Sequence, residues 1–288
     1  MNSTCPNNVR RLGFTLIEVL VVIAIIAILA ALFMGGVMVF LRKGPEMKTR
    51  NDIAQLSIAL DKFYGEHKRY PPHQIRLRAN MDDYARAVDT LDMESVGWIN
   101  TFWPHLRGVT NIPWAGATAM PASGVVLDGD QCLVFFLGGP PVGGGLPGLQ
   151  GFSTNPLNPA DSTTADRKKF FDFEVARLAN RAGNPFPSYL DGWGKMPYMY
   201  FSSGKRADGY FNWPQNTTGI APYYSKAPAV PLAAPTGYYH PTKFQLISAG
   251  LNEAFGPGGF WTPATATSIA APGRDDFSNF HEKPLGIP

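Results

Sequence analysis

One carboxylate in this sequence lies where its charge needs a chemical reason. Glu18 is the last ionisable residue before 23 residues, Val19 to Leu41, that carry no charged side chain. A carboxylate next to so apolar a segment is costly unless it is paired. Glu18 therefore predicts a positively charged partner; the alternative is a side chain that reaches the polar interface from the helix end.

The other reactive side chains form no recognisable catalytic set. The five histidines make no HExxH or other close metal pair, and no GxSxG or Cys–His arrangement is present. Asp128-Gly129-Asp130 places two acids in what is usually only a turn. Cys132 lies in an apolar stretch, which predicts a buried structural thiol. We predict that the protein is not an enzyme.

Composition excludes several further classes. The chain has 288 residues and a formal charge of +3, so no nucleic-acid partner is expected. Two cysteines are too few for a disulfide framework or a four-cysteine zinc site. Gly and Pro are frequent, at 30 and 26 residues, which predicts long loops.

The apolar run predicts a membrane-spanning helix. As a helix, 23 residues would extend about 35 Å, which exceeds the roughly 30 Å of a bilayer's hydrocarbon core. A secretory signal peptide would have a shorter apolar region, followed by a small-residue cleavage site that is missing here. The pattern favours an anchor that is retained.

A second, amphipathic helix is predicted after the apolar run. Its apolar residues repeat at helical spacing, and they are Ile53, Leu56, Leu60, Phe63, Tyr64 and His67. Pro45 predicts a break or a first turn between the two helices. The second helix should stop before Tyr70-Pro71-Pro72.

The rest of the chain predicts short elements. Asp191-Gly192-Trp193-Gly194 reads as a tight turn entering an alternating strand at Tyr198–Phe201, and 243–250 as a strand followed by a glycine-containing loop. Between residues 73 and 185 the expected elements are one or two short helices in 82–106, a turn and then a buried strand or helix in 127–137, a loop in 138–151, and a strand or short helix in 170–178.

The segment Arg10-Arg11-Leu12-Gly13-Phe14-Thr15-Leu16-Ile17-Glu18 resembles the prepilin signal of the type IV pilin superfamily. Three later patches are similar to the major pseudopilins of type II secretion. We call them the Tyr-Pro patch (residues 64–71), the Trp patch (191–200) and the strand patch (243–250). The Trp patch departs from the family pattern, because Gly192 stands where the family has Pro and one extra residue precedes Pro197.

The resemblance implies an α+β fold, in which a long N-terminal helix, transmembrane in its first half, packs on a small antiparallel sheet. It divides the chain into a leader (1–13), a transmembrane and filament-core helix (14–41), an amphipathic helix of the head (42–72), an insertion with short helices and strands (73–185), and the sheet with a C-terminal loop (186–288).

The resemblance also implies processing and partners. A prepilin peptidase would cut after Gly13 and methylate Phe14, and Glu18 would face the amine of a neighbouring subunit. The implied function is a structural pseudopilus subunit for protein secretion. It would assemble with itself, with other pseudopilins and with the secretion platform of the bacterial cytoplasmic membrane. The chain would cross that membrane once, with its N-terminus cytoplasmic and its head periplasmic.

Two other functions stay open from the sequence. One is a type IV pilin for adhesion, motility or DNA uptake, although the C-terminal cysteine pair common in major pilins is missing. The other is a membrane-anchored enzyme or binding module, which lacks a visible catalytic set.

Finally, the resemblance implies a calcium loop near the C-terminus. Asn252, Asp275 and Asp276 occupy the corresponding region and would be the ligands. Oxygen donors in a glycine-rich loop suit Ca²⁺, which takes six to eight of them. The alternative is a metal-free loop in which the two aspartates cap a turn. Asn252-Glu253 in place of Asp-Gly, and an insertion at 261–272, depart from the family pattern.

Overall fold

The computed structural model describes residues 15–86, 89–143, 146–204, 207, 209–210, 219–226 and 235–288, without the side chains of 32, 34–42, 146 and 147. The chain divides into two compact units, Met1–Gly44 and Pro45–Pro288. We call the second unit the head. Helices and short strands combine in it, so the fold is α+β.

The α-helices are α1 (Leu16–His67), α2 (Asp82–Arg86), α3 (Thr90–Phe102) and α4 (Gly129–Gly138). The strands are β1 (Ile75–Leu77), β2 (Val125–Leu127), β3 (Pro141–Gly143), β4 (Leu146–Leu149), β5 (Phe152–Ser153), β6 (Arg167–Lys168), β7 (Leu178–Asn180), β8 (Pro187–Tyr189), β9 (Met199–Ser202), β10 (Tyr223–Lys226), β11 (Thr236–Tyr238), β12 (Phe244–Ser248), β13 (Gly259–Phe260) and β14 (Phe277–Ser278). Short 3₁₀ helices lie at Pro104–Leu106, Val175–Arg177, Gly250–Asn252, Pro263–Ser268 and Ala271–Gly273.

Helix α1 corrects one prediction and confirms another. Pro45 lies inside the helix, so the predicted break there is wrong. A proline removes one backbone hydrogen bond, and the remaining bonds of a long helix can carry it across such a position. The helix ends at His67, before Tyr70, as predicted. Among the side chains that the structure describes, no helix is both long and apolar enough to cross a membrane.

The predicted apolar stripe on α1 is largely confirmed. Ile53, Leu56, Leu60 and Phe63 are buried in the main core of the head. The other two predicted members differ, because His67 is half-buried and Tyr64 is exposed over 43% of its surface. The Tyr64 ring stacks on Tyr70, with 4.7 Å between ring centroids.

A three-stranded antiparallel sheet, in the order β14-β12-β9, separates two apolar clusters. Tyr198 and Tyr200 belong to the cluster that contains the α1 stripe. Met199 and Phe201 belong to the other cluster, with Trp261. The predicted alternation of this strand is therefore confirmed, and it puts apolar side chains into a core on each face.

The insertion shares the core of helix α1 rather than forming its own. Two of its buried aromatic residues, Phe102 and Phe136, contact Phe63 of α1 edge-on, at centroid distances of 5.3 and 5.9 Å. The short helices predicted in 82–106 are confirmed as α2 and α3. For 127–137 either a strand or a helix was predicted, and the structure has a helix there, α4.

Two further predictions in the insertion have an outcome. The loop predicted for 138–151 is wrong, because β3 and β4 pair there as an antiparallel hairpin. Glycine and proline are typical of loops, so the sequence of this segment did not indicate strands. In 170–178 the structure has the 3₁₀ helix Val175–Arg177, followed by β7.

Candidate functional site

The start of helix α1 is held by a reciprocal contact between Thr15 and Glu18. Glu18 Oε2 accepts hydrogen bonds from the backbone N–H of Thr15, at 2.8 Å, and from its hydroxyl, at 2.9 Å. The Thr15 hydroxyl oxygen accepts from the Glu18 backbone N–H at 3.3 Å. This is a capping box, which satisfies N–H groups that a helix start leaves unpaired. Gly13 and Phe14, the predicted processing residues, lie outside the described residues.

The three patches that carried the pseudopilin resemblance meet in the head. The Tyr200 hydroxyl of the Trp patch donates to the carbonyl oxygen of Pro71 in the Tyr-Pro patch, at 2.8 Å. The Ser248 hydroxyl of the strand patch donates to Asp191 Oδ2 of the Trp patch, at 2.9 Å. Both bonds are buried, so residues far apart in the sequence form one connected region.

The departure at Gly192 has a structural explanation. Its backbone N–H donates to the Thr49 hydroxyl oxygen at 3.0 Å, and a proline has no N–H to donate. A Cβ atom at this position would also lie 2.3 Å from the Pro45 carbonyl oxygen. The close approach of the turn to α1 thus requires glycine. Gly194, with a φ of +70°, completes the turn by donating to the Asp191 carbonyl oxygen at 2.9 Å.

A buried ion pair that sequence reasoning missed connects the insertion to helix α1. Arg177 Nη2 donates to Asp52 Oδ2 at 2.6 Å, and the Tyr198 hydroxyl donates to the same oxygen at 2.8 Å. Both charged side chains are more than nine-tenths buried. The local pattern gave one indirect signal, because Asp52 lies next to Ile53 at the edge of the apolar stripe.

The residues of the predicted calcium loop are brought together by hydrogen bonds within the loop. Asp275 Oδ2 accepts from the backbone N–H of Asn252 at 2.8 Å. Asp276 Oδ2 accepts from the backbone N–H of Gly256 at 2.9 Å and from the Tyr223 hydroxyl at 3.4 Å. The carboxylates therefore hold the loop as turn caps do.

Asp276 also carries an unsatisfied acceptor. Its side chain is fully buried, and its Oδ1 has no hydrogen-bond partner. Burial raises the pKa of Asp276 to about 7, against the lowering effect of the Gly256 N–H. A cation or a proton would satisfy such an oxygen. The described residues contain no group of three or more His, Cys, Asp or Glu side chains that could hold a metal ion. Other ligands would have to be amide or carbonyl oxygens.

The turn at Asp128-Gly129-Asp130 holds an arginine. Arg181 Nη1 lies 2.5 Å from Asp128 Oδ2, and its Nη2 lies 2.7 Å from Asp130 Oδ2. The Ser188 hydroxyl donates to the same Asp130 oxygen at 2.6 Å. A guanidinium thus occupies the position between the two acids.

Cys132, in the helix that follows, is fully buried, and burial raises the pKa of its thiol, as expected for a structural cysteine.

The chain combines a prepilin-like N-terminus with an α+β head, and comparison with known proteins gives this combination a family. The model of the prokaryotic N-terminal methylation motif matches residues 8–34. The type II secretion system core protein G of Aeromonas hydrophila is 31% identical over 115 residues, which are 40% of this chain and 76% of that protein. The protein of the same name from Klebsiella michiganensis is 40% identical over 107 residues, 36% of this chain and 68% of that protein.

The chain therefore belongs to the family of type II secretion system core protein G, the major pseudopilins. Coverage of other relatives is smaller. The chain spans half the length of the Pectobacterium carotovorum protein of that name, to which it is 37% identical over 78 residues. No solved structure matches the chain.

Proposed function

We propose that this chain is a structural subunit of a type II secretion pseudopilus. A prepilin peptidase would cut after Gly13 and methylate Phe14, and the mature subunit would polymerise with itself and with other pseudopilins. The observation that carries the proposal is the methylation motif at residues 8–34, which includes the first residues of helix α1. The names of the relatives favour secretion over a pilus for adhesion, motility or DNA uptake.

The proposed anchor is the apolar first half of α1. Val19 to Leu41 is long enough for a bilayer, and the described large apolar side chains of this segment are exposed. We place the N-terminus in the cytoplasm and the head in the periplasm, with the assembly platform in the cytoplasmic membrane as partner.

Glu18 would align neighbouring subunits. Its Oε2 is used by the capping box with Thr15, and no described group bonds its Oε1. That oxygen would receive the amine of Phe14 from an adjacent subunit. A carboxylate and an ammonium that are each costly in an apolar environment become tolerable together, which penalises wrong axial offsets between helices.

Calcium in the C-terminal loop is part of the proposal. Asp276 Oδ1 fits such a site, because it is a buried carboxylate oxygen without a partner. Asp275 and Asn252 would complete it with further oxygens. Bound Ca²⁺ would supply positive charge between the loop and the strand β14, so its role would be stabilisation of the head.

The direct test is electron microscopy of filaments from cells that overproduce the chain, with mass spectrometry of the mature N-terminus. We expect filaments and a first residue of N-methylated Phe14. Gly13→Ala should retain the leader and form no filaments. Membrane-extracted protein that begins at Met1, or at an unrelated residue, would overturn the proposal.

A further inference from the structure

A groove with a volume of about 720 Å³ lies between helix α1 and strand β14. One wall is the stretch 277–282, of which every residue lines the groove. The other wall is a face of α1 at the helical spacing i, i+3, i+4 and i+7, made by Arg50, Ile53, Ala54 and Ser57. We call this space the β14–α1 groove. Because consecutive residues of the strand and its continuation line it, the groove follows their backbone and not only alternate side chains.

Strand β14 is an edge strand, and its unpaired backbone groups belong to this wall. Ser278 of β14 is opposite Ile247 of β12, and the next N–H, of Asn279, donates to the Leu246 carbonyl oxygen at 3.2 Å. In an antiparallel ladder this bond makes Ser278 and Ile247 a non-hydrogen-bonded pair, so the N–H and C=O of Ser278 point away from β12. Neither group has a partner among the described residues.

The chain beyond β14 adds further unpaired donors. The backbone N–H groups of Phe280 and His281 also have no acceptor among the residues that the structure describes. Before Ser278 the edge is closed, because the Asp276 carbonyl oxygen accepts from the backbone N–H of Leu285 at 2.9 Å. From Ser278 onwards the groove therefore offers the backbone groups with which an edge strand pairs with a further strand.

The arginine of the groove is already paired. Arg50 Nη2 lies 2.9 Å from Glu46 Oε1, and Arg50 Nη1 donates to the Glu282 carbonyl oxygen. The guanidinium also lies over the Phe277 ring, 5.0 Å from its centroid. An anion would have to compete with these contacts. Backbone pairing beside the apolar side chains of Ile53 and Ala54 is therefore the chemistry that the groove offers.

We propose that the β14–α1 groove binds an extended peptide segment of another protein, which adds to β14 as a strand. In this mode of recognition, main-chain hydrogen bonds at a sheet edge give affinity, and the space for alternate side chains gives specificity. Every second side chain of the peptide would face the α1 wall, so we expect small apolar residues at those positions.

The occupant is a single segment and not a second copy of the chain. Every described strand of the head is already paired in a sheet of its own chain. A strand donated from such a sheet would bring its neighbours against α1, which forms the opposite wall. The inference goes beyond the proposed structural role, since it gives the head a binding site of its own.

The probe is a library of random heptapeptides with blocked ends, screened for binding to the full chain in detergent. The tightest binder is then made in two further versions, in which N-methyl groups block alternate amide groups. One edge of the peptide faces β14, so one version should bind about tenfold more weakly and the other should bind like the unmodified peptide. Hydrogen exchange of the Ser278 amide should slow when the peptide binds. Equal binding of the two versions, or a library without a binder, would overturn the proposal.

Two variants locate the peptide. Ala54→Trp should fill the groove and weaken binding by about tenfold or more. Gln55→Trp is the matched control, because it adds the same side chain at the adjacent position of α1, which does not line the groove. Both positions are exposed, so both variants should fold. Equal peptide binding by the two variants would overturn the proposal.

A final measurement checks the identity of the occupant. Without peptide, exchange of the Ser278 amide should not depend on the concentration of the chain. Slower exchange at higher concentration would identify a second copy as the occupant and would overturn the assignment to another protein. Each readout is binding to the unassembled chain, so a failure here is distinct from a failure of filament assembly.

Discussion

The hydroxyl of Ser248 and the carboxylate of Asp191 form a hydrogen bond of 2.9 Å in the interior of the head. Asp191 is fully buried, and burial raises the pKa of its carboxyl group. The bond joins the end of β12 to the turn that contacts helix α1 through Gly192. One serine thus connects the sheet to the segment that packs on the helix.

Replacing Ser248 with Ala should destabilise the head by about 1.5–3 kcal/mol, because a buried acid loses a hydrogen-bond donor. Denaturant unfolding of residues 45–288 would measure the loss. Ser57→Ala is the matched control, since that hydroxyl donates to the Ile53 carbonyl oxygen of its own helix. It should change stability by less than about 0.5 kcal/mol. Equal effects of the two variants would show that the Asp191 contact contributes nothing special.

Local sequence patterns predicted the helix and the strand whose apolar residues recur at regular spacing. The helical repeat of Ile53, Leu56, Leu60 and Phe63 placed one face of α1 in the core, and the alternation at Tyr198–Phe201 placed a strand with two buried faces. The hairpin of β3 and β4 was missed, because glycine and proline in it signal a loop. Helix continuity at Pro45 was missed for a similar reason. Proline usually breaks a helix, so it was interpreted as an end although the residues on both sides favour a helix.

Contacts between distant residues could not be read from the sequence. Asp52 and Arg177 are 125 positions apart, and no local pattern connects an acid on a helix with an arginine in a long insertion. In the C-terminal loop, the resemblance named Asn252, Asp275 and Asp276 together. It could not show that Asp276 keeps one buried oxygen without a partner, because that depends on how closely the loop packs.

Arg177→Met should destabilise the head strongly, by about 3–5 kcal/mol, because Asp52 would remain buried without its counter-ion. The double variant Asp52→Leu with Arg177→Met should lose much less than the sum of the single changes, and a double-mutant cycle would measure the difference.

The control for this pair is Lys48→Met. Lys48 and Glu174 also connect α1 with the insertion, at 2.9 Å, but their side chains are 41% and 53% exposed. Losing such a pair should cost at most about 1 kcal/mol. Additive effects in the Asp52–Arg177 cycle would contradict the interpretation that the two charges depend on each other.

Glu18→Gln separates the two roles of the carboxylate. The amide oxygen of Gln can still accept from Thr15, so the helix start is kept, whereas the negative charge is lost. We therefore expect normal cleavage and membrane insertion but few or no filaments. Thr15→Val is the matched control, because it removes the capping hydroxyl and keeps the charge. If Glu18→Gln assembles normally and Thr15→Val does not, capping rather than charge pairing is the function of Glu18.

His73 should make the head sensitive to acid. Burial lowers the pKa of His73 to about 4, against the raising effect of a hydrogen bond with the Ser202 backbone. In the unfolded chain a histidine titrates near 6.5, so between pH 6.5 and 4 the unfolded state binds more protons than the folded state. The stability is therefore present above pH 6.5 and decreases as the pH falls towards 4.

Unfolding of the head at a series of pH values would measure this loss, which reaches at most about 3 kcal/mol. His73→Gln should lose less stability than the unaltered head between pH 6.5 and 4. His105→Gln, at an exposed position, should keep the original pH dependence. Parallel curves for the unaltered head and His73→Gln would assign the acid sensitivity to other groups.

Calcium should stabilise the head through Asp276. At a hundredfold excess over its dissociation constant, Ca²⁺ would add about 2.7 kcal/mol, and Mg²⁺ would add much less because it requires a smaller octahedral shell. A carboxyl group must lose its proton to bind the ion, so the response should grow as the pH rises through about 7, the pKa of Asp276.

Asp276→Asn keeps an acceptor for the Gly256 N–H but removes the charge. It should abolish the response and, in chelator above pH 7, unfold at a higher temperature than the unaltered head, because no buried carboxylate remains to be ionised. A melting temperature indifferent to calcium and chelator at every pH would mean that the loop is held by the hydrogen bonds of Asp275 and Asp276 alone.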